Sequence, residues 1–252
     1  MAAATPTRPP PPMLRDDCAL FLDVDGTLLD FQPDPAAVAV PPPLRDILRA
    51  LAGRLDGAVA LVSGRRLAAL DELFAPLRLP VAGMHGLERR NGGRQAKSPR
   101  PSEALHRVRG EAEALSGRHP GTVVEDKGAG ISLHWRRAPQ HAAAMRAFAE
   151  AALPRLPGYR LQHGDHVVEL RPGGADKGDA IAAFLHEAPF RGRRPVFVGD
   201  DLTDEHGFAV VNARDGISVL VGERQPSAAH YRLPDTAAVY AWLESNHRTL
   251  TE

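Results

Sequence analysis

The sequence predicts an α/β protein, a doubly wound parallel sheet interrupted by a smaller inserted α+β domain. Three observations predict it. Short apolar runs end in polar or glycine-rich turns, helical patterns follow several of them, and the middle of the chain changes to an αββαββ rhythm with hairpin turns.

The apolar runs are residues 18–22, 59–62, 196–198 and 217–221, and such continuous runs read as strands buried on both faces. After a triple proline, Leu44, Ile47, Leu48, Leu51 and Leu55 recur at helical spacing, and residues 67–77 repeat that logic. Residues 176–185 and 204–210 read as shorter helices. Ligands of such a sheet bind outside the carboxyl ends of its strands. In the middle, residues 103–115 read as a helix, 122–126 and 130–135 as a strand pair across Lys127-Gly-Ala, and 140–153 as an alanine-rich helix. Residues 159–163 and 166–170 form a second strand pair across Gly164-Asp165. The inserted domain is placed at 101–172, between Ser98-Pro-Arg-Pro and Arg171-Pro-Gly-Gly, whose glycines suit a hinge. The core is then discontinuous, at 14–100 and 173–252. Residues 1–13, with five prolines and one charge, are expected to be a disordered tail outside the fold.

A chain of 252 residues with 43% hydrophobic content is long enough for one large core or two smaller ones. Its 31 basic and 31 acidic residues balance, so no global positive field attracts nucleic acid or an anionic membrane. Small-molecule chemistry fits better. The single cysteine, Cys18, cannot form an internal disulfide and lies in an apolar run, which suits a reducing cytoplasm. No apolar stretch approaches the roughly 20 residues that span a bilayer, and no charged-then-apolar signal pattern opens the chain. A cytoplasmic protein is expected.

The segment Leu20-Phe-Leu-Asp23-Val-Asp25-Gly-Thr27-Leu places two carboxylates two residues apart where a buried strand ends. Alternation along the strand starts Asp23 and Asp25 on one side, and Gly26 and Thr27 supply the turn. Two such carboxylates repel unless a cation or a shared proton compensates them, and hard oxygen ligands favour Mg2+. One Asp can then ligate metal and attack while its neighbour handles protons. Three more segments end core runs with polar groups: Leu61-Val-Ser63-Gly-Arg65, Asp176-Lys177-Gly-Asp179, and Gly199-Asp200-Asp201-Leu-Thr-Asp204. Each has a plain structural explanation: a helix start at Ser63-Gly64, a solvated Lys177, a cap at Thr203-Asp204. In a parallel sheet, however, all four strand ends converge on one rim.

This ordered set resembles the four signature motifs of haloacid dehalogenase-type phosphatases, and the αββαββ insertion resembles that superfamily's larger cap on its Rossmann-like core. The resemblance spans residues 18–247. It implies that Asp23 attacks phosphorus to form an aspartyl phosphate, and that Asp25 protonates the leaving oxygen and later deprotonates water. It implies a Mg2+ cofactor on Asp23, the Asp25 backbone carbonyl and Asp200, with Ser63 and Lys177 on the phosphoryl oxygens. Asp201 and Asp204 either ligate through water or orient Lys177.

Gly83-Met-His85-Gly-Leu-Glu88-Arg89, Val124-Glu125-Asp-Lys127, His134-Trp135-Arg136 and Val168-Glu169-Leu-Arg171-Pro172 further resemble the trehalose-6-phosphate phosphatase family. That resemblance implies hydrolysis of trehalose 6-phosphate to trehalose and phosphate, with Glu125, Lys127 and Glu169 contacting the sugar, and Arg65 and His85 as further substrate contacts. Carboxylates and an ammonium together match hydroxyls that both donate and accept. The plain alternatives are solvated strand charges for the first three, a helix cap or ion pair for Arg65, and a structural histidine for His85. His134 and Trp135 read as packing. Closure of the cap would bring the sugar-reading residues over the metal. A small phosphosugar is the expected partner, with no nucleic acid and no membrane, and the resemblance makes an upstream trehalose-6-phosphate synthase a candidate partner. Sucrose 6-phosphate, mannosyl phosphoglycerate, a phosphohexose mutase reaction and a non-catalytic phosphosugar sensor remain as alternatives.

Overall fold

Each apolar run singled out above is a buried strand. The computed structural model describes residues 8–30, 38–96 and 100–248. From the start of the chain run β1 (Cys18–Leu22), α1 (Pro42–Arg54), β2 (Val59–Val62), α2 (Leu67–Phe74), β3 (Val81–Gly83), β4 (Glu88–Asn91) and β5 (Arg94–Ala96). Then come α3 (Glu103–Gly117), β6 (Val123–Asp126), β7 (Ile131–His134), α4 (Ala142–Ala152), β8 (Tyr159–Gly164) and β9 (Val167–Pro172). The chain closes with α5 (Lys177–Leu185), β10 (Arg194–Gly199), α6 (Glu205–Asn212), β11 (Ile217–Val221), β12 (Tyr231–Leu233) and α7 (Thr236–Arg248). Two compact units result: the described residues up to Gln95 together with those from Asp176 on, and Ala96–Ala175.

The first unit holds an eight-stranded sheet in the order β12-β11-β10-β1-β2-β3-β4-β5. It is parallel from β12 through β3, and β4 runs antiparallel to β3. The central strands β1, β2 and β11 are buried at every position, because helices cover both faces and leave no polar side for alternation to show. In register, Phe21 sits beside Phe197, and Leu20 beside Val59. Strand order reverses at β1, which lies between β10 and β2, so the open ends of these three strands form a topological switch point.

Local chemistry sets the helix ends. Pro42 occupies the first turn of α1, where its missing N–H costs nothing. α2 stops at Phe74, short of the expected 77, because Ala75 precedes Pro76 and takes extended dihedrals (φ −50°, ψ 140°). The expected helix at 140–153 is α4 flanked by two 3-10 turns, Pro139–His141 and Leu153–Arg155. Strands β3 to β5 and β12 and helix α7 have no counterpart in the sequence reading. β3 and β12 are three residues each, too short for a periodic signal.

The expected disordered tail requires a correction. Residues 1–7 lie outside the described residues, but 8–13 form a strap along the edge of the sheet. Arg8 donates to the carbonyls of Ala229 and Ser227 (both 2.6 Å), Arg232 N–H donates to Pro9 O (3.0 Å), and Trp242 Nε1 donates to Pro12 O (3.2 Å). Proline has no N–H, yet its carbonyl accepts normally, and composition alone does not reveal that use.

The second unit is a four-stranded antiparallel sheet, β6-β7-β9-β8. One face carries Ile131, Leu133, Val168 and Leu170 against Leu105, Val108 and Ala112 of α3 and Met145, Ala149 and Ala152 of α4. Directly opposed residues share a face, so the register Glu125↔Ser132↔Glu169↔Gln162 draws a polar row across all four strands.

Candidate active site

At the end of β1 the chain continues beside β10, with Asp23 N–H donating to Val198 O (3.0 Å). It then turns: Val24 O accepts from Thr27, Leu28 and Leu29, and Gly26 adopts φ 85°, a left-handed conformation suited to glycine. The turn aims Thr27 back at the strand end. Thr27 Oγ1 lies 3.2 Å from Asp23 Oδ2 and 3.3 Å from Asp200 Oδ1. One hydroxyl hydrogen serves only one of these carboxylates at a time, so the other keeps a lone pair facing the pair.

Lys177, the first residue of α5, completes the centre. Its Nζ lies 2.6 Å from Asp23 Oδ1 and 2.7 Å from Asp204 Oδ1, and all three side chains are buried. Asp204 is held in turn: its Oδ2 accepts the N–H groups of Asp200 (3.0 Å) and Asp201 (2.9 Å). Gly199 makes room for this, since a Cβ there would fall 2.4 Å from Asp204 Cγ. Asp204 therefore orients Lys177 and closes the loop, while Asp201 caps the short 3-10 turn Leu202–Asp204.

The electrostatics follow from one ammonium among several acids. Burial pushes the Asp23 carboxyl up to about 7, with Lys177 opposing and Asp204 and Asp25 adding to the rise. Burial, with Asp23 and Asp204, also holds Asp200 well above the ordinary carboxylate range. Burial opposes the charge of Lys177, but Asp204 and Asp23 outweigh it and raise its pKa.

Ser63 follows β2 and is buried; its Oγ accepts from Arg65 N–H (3.1 Å), leaving its own hydrogen to donate. Arg65 grips Asp25 through a fork, Nε to Oδ2 at 2.8 Å and Nη2 to Oδ1 at 2.7 Å. The ion pair named above as an alternative for Arg65 is thus made with the second aspartate. His85 follows β3 in a left-handed conformation (φ 55°), with its N–H on Ser63 O (2.9 Å). Its ring lies over Gly64, where a Cβ would fall 2.7 Å from Nε2.

In the second unit, Lys127 Nζ donates to Glu169 Oε2 (2.9 Å), Ser132 Oγ lies 3.3 Å from the same oxygen, and His134 Nε2 lies 2.9 Å from Glu125 Oε2. Burial works against the charge of Glu125, yet Lys127 and His134 hold its pKa down to about 2. Trp135 packs as expected, buried with Arg146 Cζ 5.2 Å from its ring centroid, but His134 bonds to Glu125 of the polar row rather than packing. The predicted site residues thus form two sets, one in each unit.

Residues 21–237 match the family model for trehalose-phosphatase. The chain belongs to the trehalose-phosphatase family. The trehalose-6-phosphate phosphatase of Escherichia coli (strain K12) is 44% identical over 234 residues, covering 92% of this chain and 88% of that protein. A probable trehalose-phosphate phosphatase of Sinorhizobium fredii is 45% identical over 214 residues, covering 84% and 81%. The solved C-terminal domain of the Candida albicans trehalose-6-phosphate phosphatase shares the fold at a TM-score of 0.79, with 95% of this chain and 99% of that chain covered at 20% identity. The fold is haloacid dehalogenase-like, and the family is one of phosphatase enzymes.

The donor set of this trehalose-phosphatase family member suits a hard divalent cation. Asp23, Asp200 and Asp204 each present a carboxylate oxygen within 4.8 Å of the others. Both Asp204 oxygens already accept from the chain, whereas Asp23 and Asp200 face one another across a single hydroxyl. Such a pair gains from a cation between its members. Thr27, Ser132 and Gln162 were not singled out in the sequence as site residues. For Thr27 the signal was its place four residues after Asp23. For Ser132 and Gln162 only the strand register reveals it. No helix among the described residues is long and apolar enough to cross a membrane.

Proposed function

We propose that the protein is a Mg2+-dependent phosphatase that hydrolyses trehalose 6-phosphate to trehalose and inorganic phosphate through an aspartyl-phosphate intermediate on Asp23. The observation that carries this reading is the surroundings of the Asp23 carboxylate: an ammonium 2.6 Å away on one oxygen, and a second carboxylate across the Thr27 hydroxyl on the other. Lys177 draws an anionic phosphoryl group toward a nucleophile that would otherwise repel it.

Asp23 attacks phosphorus, and the bond to the sugar oxygen breaks in line with the attack. Lys177 takes up charge on one equatorial oxygen, and Ser63 donates its free hydrogen to another. Asp25 gives the departing oxygen its proton, then takes a proton from the water that attacks phosphorus and releases Asp23. Arg65 fixes the plane of the Asp25 carboxyl by its fork. Mg2+ would be held by Asp23, Asp200 and the Asp25 carbonyl, and when bound it supplies positive charge to the transferring phosphoryl group.

The sugar reading rests on the relatives' printed names and on the polar row of the second unit. Glu125, Lys127 and Glu169 would accept from and donate to sugar hydroxyls, with Ser132 and His134 fixing the two carboxylates. A reducing cytoplasm is the proposed location. Phosphate release measured over trehalose 6-phosphate, sucrose 6-phosphate, glucose 6-phosphate and p-nitrophenyl phosphate, with Mg2+ and with EDTA, tests both parts. The expected result is Mg2+-dependent release with the highest kcat/KM on trehalose 6-phosphate. Equal rates in EDTA would overturn the metal reading, and preference for another ester would overturn the sugar assignment.

A further inference from the structure

The loop that carries Asp200 and Asp201 is clamped from two sides. In front, the Asp204 carboxylate accepts both peptide N–H groups, at 3.0 and 2.9 Å. Behind, Arg224 reaches in from the segment after β11: its Nε donates to Asp200 O (3.3 Å) and its Nη2 to Asp201 O (3.2 Å). An acid thus holds the two donors of this dipeptide and a base holds its two acceptors.

The guanidinium is itself fixed. Nη1 donates to Pro226 O (2.8 Å), Nη2 pairs with Glu205 Oε1, and Glu205 Oε2 accepts Ala228 N–H (2.7 Å). Glu205 opens α6 directly after the 3-10 turn. Arg224 therefore ties the loop after β10 to the loop after β11, with its side chain only 21% exposed. A lysine has the charge but not the planar fork that reaches several oxygens in different directions.

We propose that Arg224 is a positioning residue for the divalent-cation site: by holding the Asp200 and Asp201 carbonyls it fixes the backbone from which the Asp200 carboxylate projects toward the cation. This rests on the reading of Asp23 and Asp200 as Mg2+ ligands. Asp200 needs such help, because the described side-chain partner of its carboxylate is Thr27 at 3.3 Å, a contact shared with Asp23. Partners outside the ligand set that orient a ligand characteristically change metal affinity by about 10- to 100-fold when removed.

The test is calorimetric titration of MgCl2 into the full chain without substrate, for wild type, Arg224→Met and Arg224→Lys, with phosphate release followed against Mg2+ concentration. Near-ultraviolet circular dichroism checks folding, and Arg224→Lys keeps a cation in place should the Met variant not fold. The Mg2+ dissociation constant should rise about 10-fold or more in Arg224→Met and less in Arg224→Lys. High Mg2+ should restore kcat, with KM for the phosphate ester at saturating Mg2+ unchanged. Wild-type Mg2+ affinity in a folded Arg224→Met overturns the proposal, as does a loss of kcat that Mg2+ does not restore. Wild-type protein that takes up no Mg2+ removes the metal assignment and this proposal with it, so the two failures are distinguishable.

Discussion

Asp23 and Asp25 begin as equivalent carboxylates on one strand end, and their partners separate them. Asp23 meets an ammonium and a hydroxyl in a buried site, while Asp25 meets a guanidinium fork. Asp23→Asn should abolish turnover while leaving the fold intact, because Lys177 still pairs with Asp204; activity and melting temperature measured together check this. Lys177→Met should instead lose both, since it leaves Asp23 and Asp204 buried without their cation, at a stability cost of roughly 3–5 kcal/mol, read by denaturant unfolding. Arg65→Lys should slow hydrolysis of an alkyl phosphate more than that of p-nitrophenyl phosphate, whose leaving group needs less protonation. Equal slowing would show that Arg65 does not act through Asp25. The nearness of Asp23 and Asp200 was legible in the sequence because strand-end motifs of a parallel sheet share a rim, whereas Lys177, expected at such a strand end, opens α5 after β9 of the antiparallel sheet. The partner of Arg65 was not legible. Its fork spans two loops, and which acid it meets depends on backbone placement that no spacing encodes.

Elements hold these residues through contacts that a local reading misses. α2 begins without a side-chain cap from its own Arg66; instead Glu88 of β4 accepts Leu67 N–H at 2.6 Å. Glu88→Ala should therefore destabilise the first unit by about 1 kcal/mol in denaturant unfolding, as the loss of a helix cap does. The polar strand β4 has no counterpart in the sequence reading because its sequence, Glu-Arg-Arg-Asn, has no apolar alternation. Its order comes from ion pairs. Arg89 forks onto Glu187 (both bonds 2.8 Å), and Arg90 onto Asp71 (2.6 and 2.7 Å). Arg89 and Asn91 hold the Glu187 carboxyl at about 2, below its ordinary 4.5. A folded-state value below the unfolded one gives stability that is full above about pH 4.5 and lost as pH falls toward 2. Glu187→Gln should flatten the wild-type fall in melting temperature across that window, and an unchanged slope would contradict the pairing. In the second unit, the αββαββ order was legible from turns and alternation, whereas the alignment of Ser132 and Gln162 with Glu125 and Glu169 needed the register.

At the scale of the whole chain, the proline-rich start is part of the core's boundary. Beyond the strap along β12, Leu14 is buried, its N–H donates to Asn246 Oδ1 at 2.6 Å, and Arg54 binds its carbonyl at 2.7 Å. Deleting residues 1–14 should lower stability by roughly 2–5 kcal/mol, from one buried leucine and several hydrogen bonds, and a thermal melt of the truncated chain checks it. Composition suggested disorder because it registers side-chain type, and the strap is held by one arginine and by proline carbonyls.

Because β1 lies between β2 and β10 in the sheet, its two neighbours are made at very different times. A ribosome delivers β1, β2 and β3 first, then the entire second unit, and only afterwards Lys177, β10 and Asp200. Until β10 emerges, one side of β1 is a bare row of peptide groups able to pair with the wrong strand. During that interval Asp23 and Asp25 lack Lys177, Asp200 and Asp204, all of which come later in the chain. The repulsion between Asp23 and Asp25 is there from the start, and Asp200 and Asp204 add to it only in the company of Lys177, which relieves part of it.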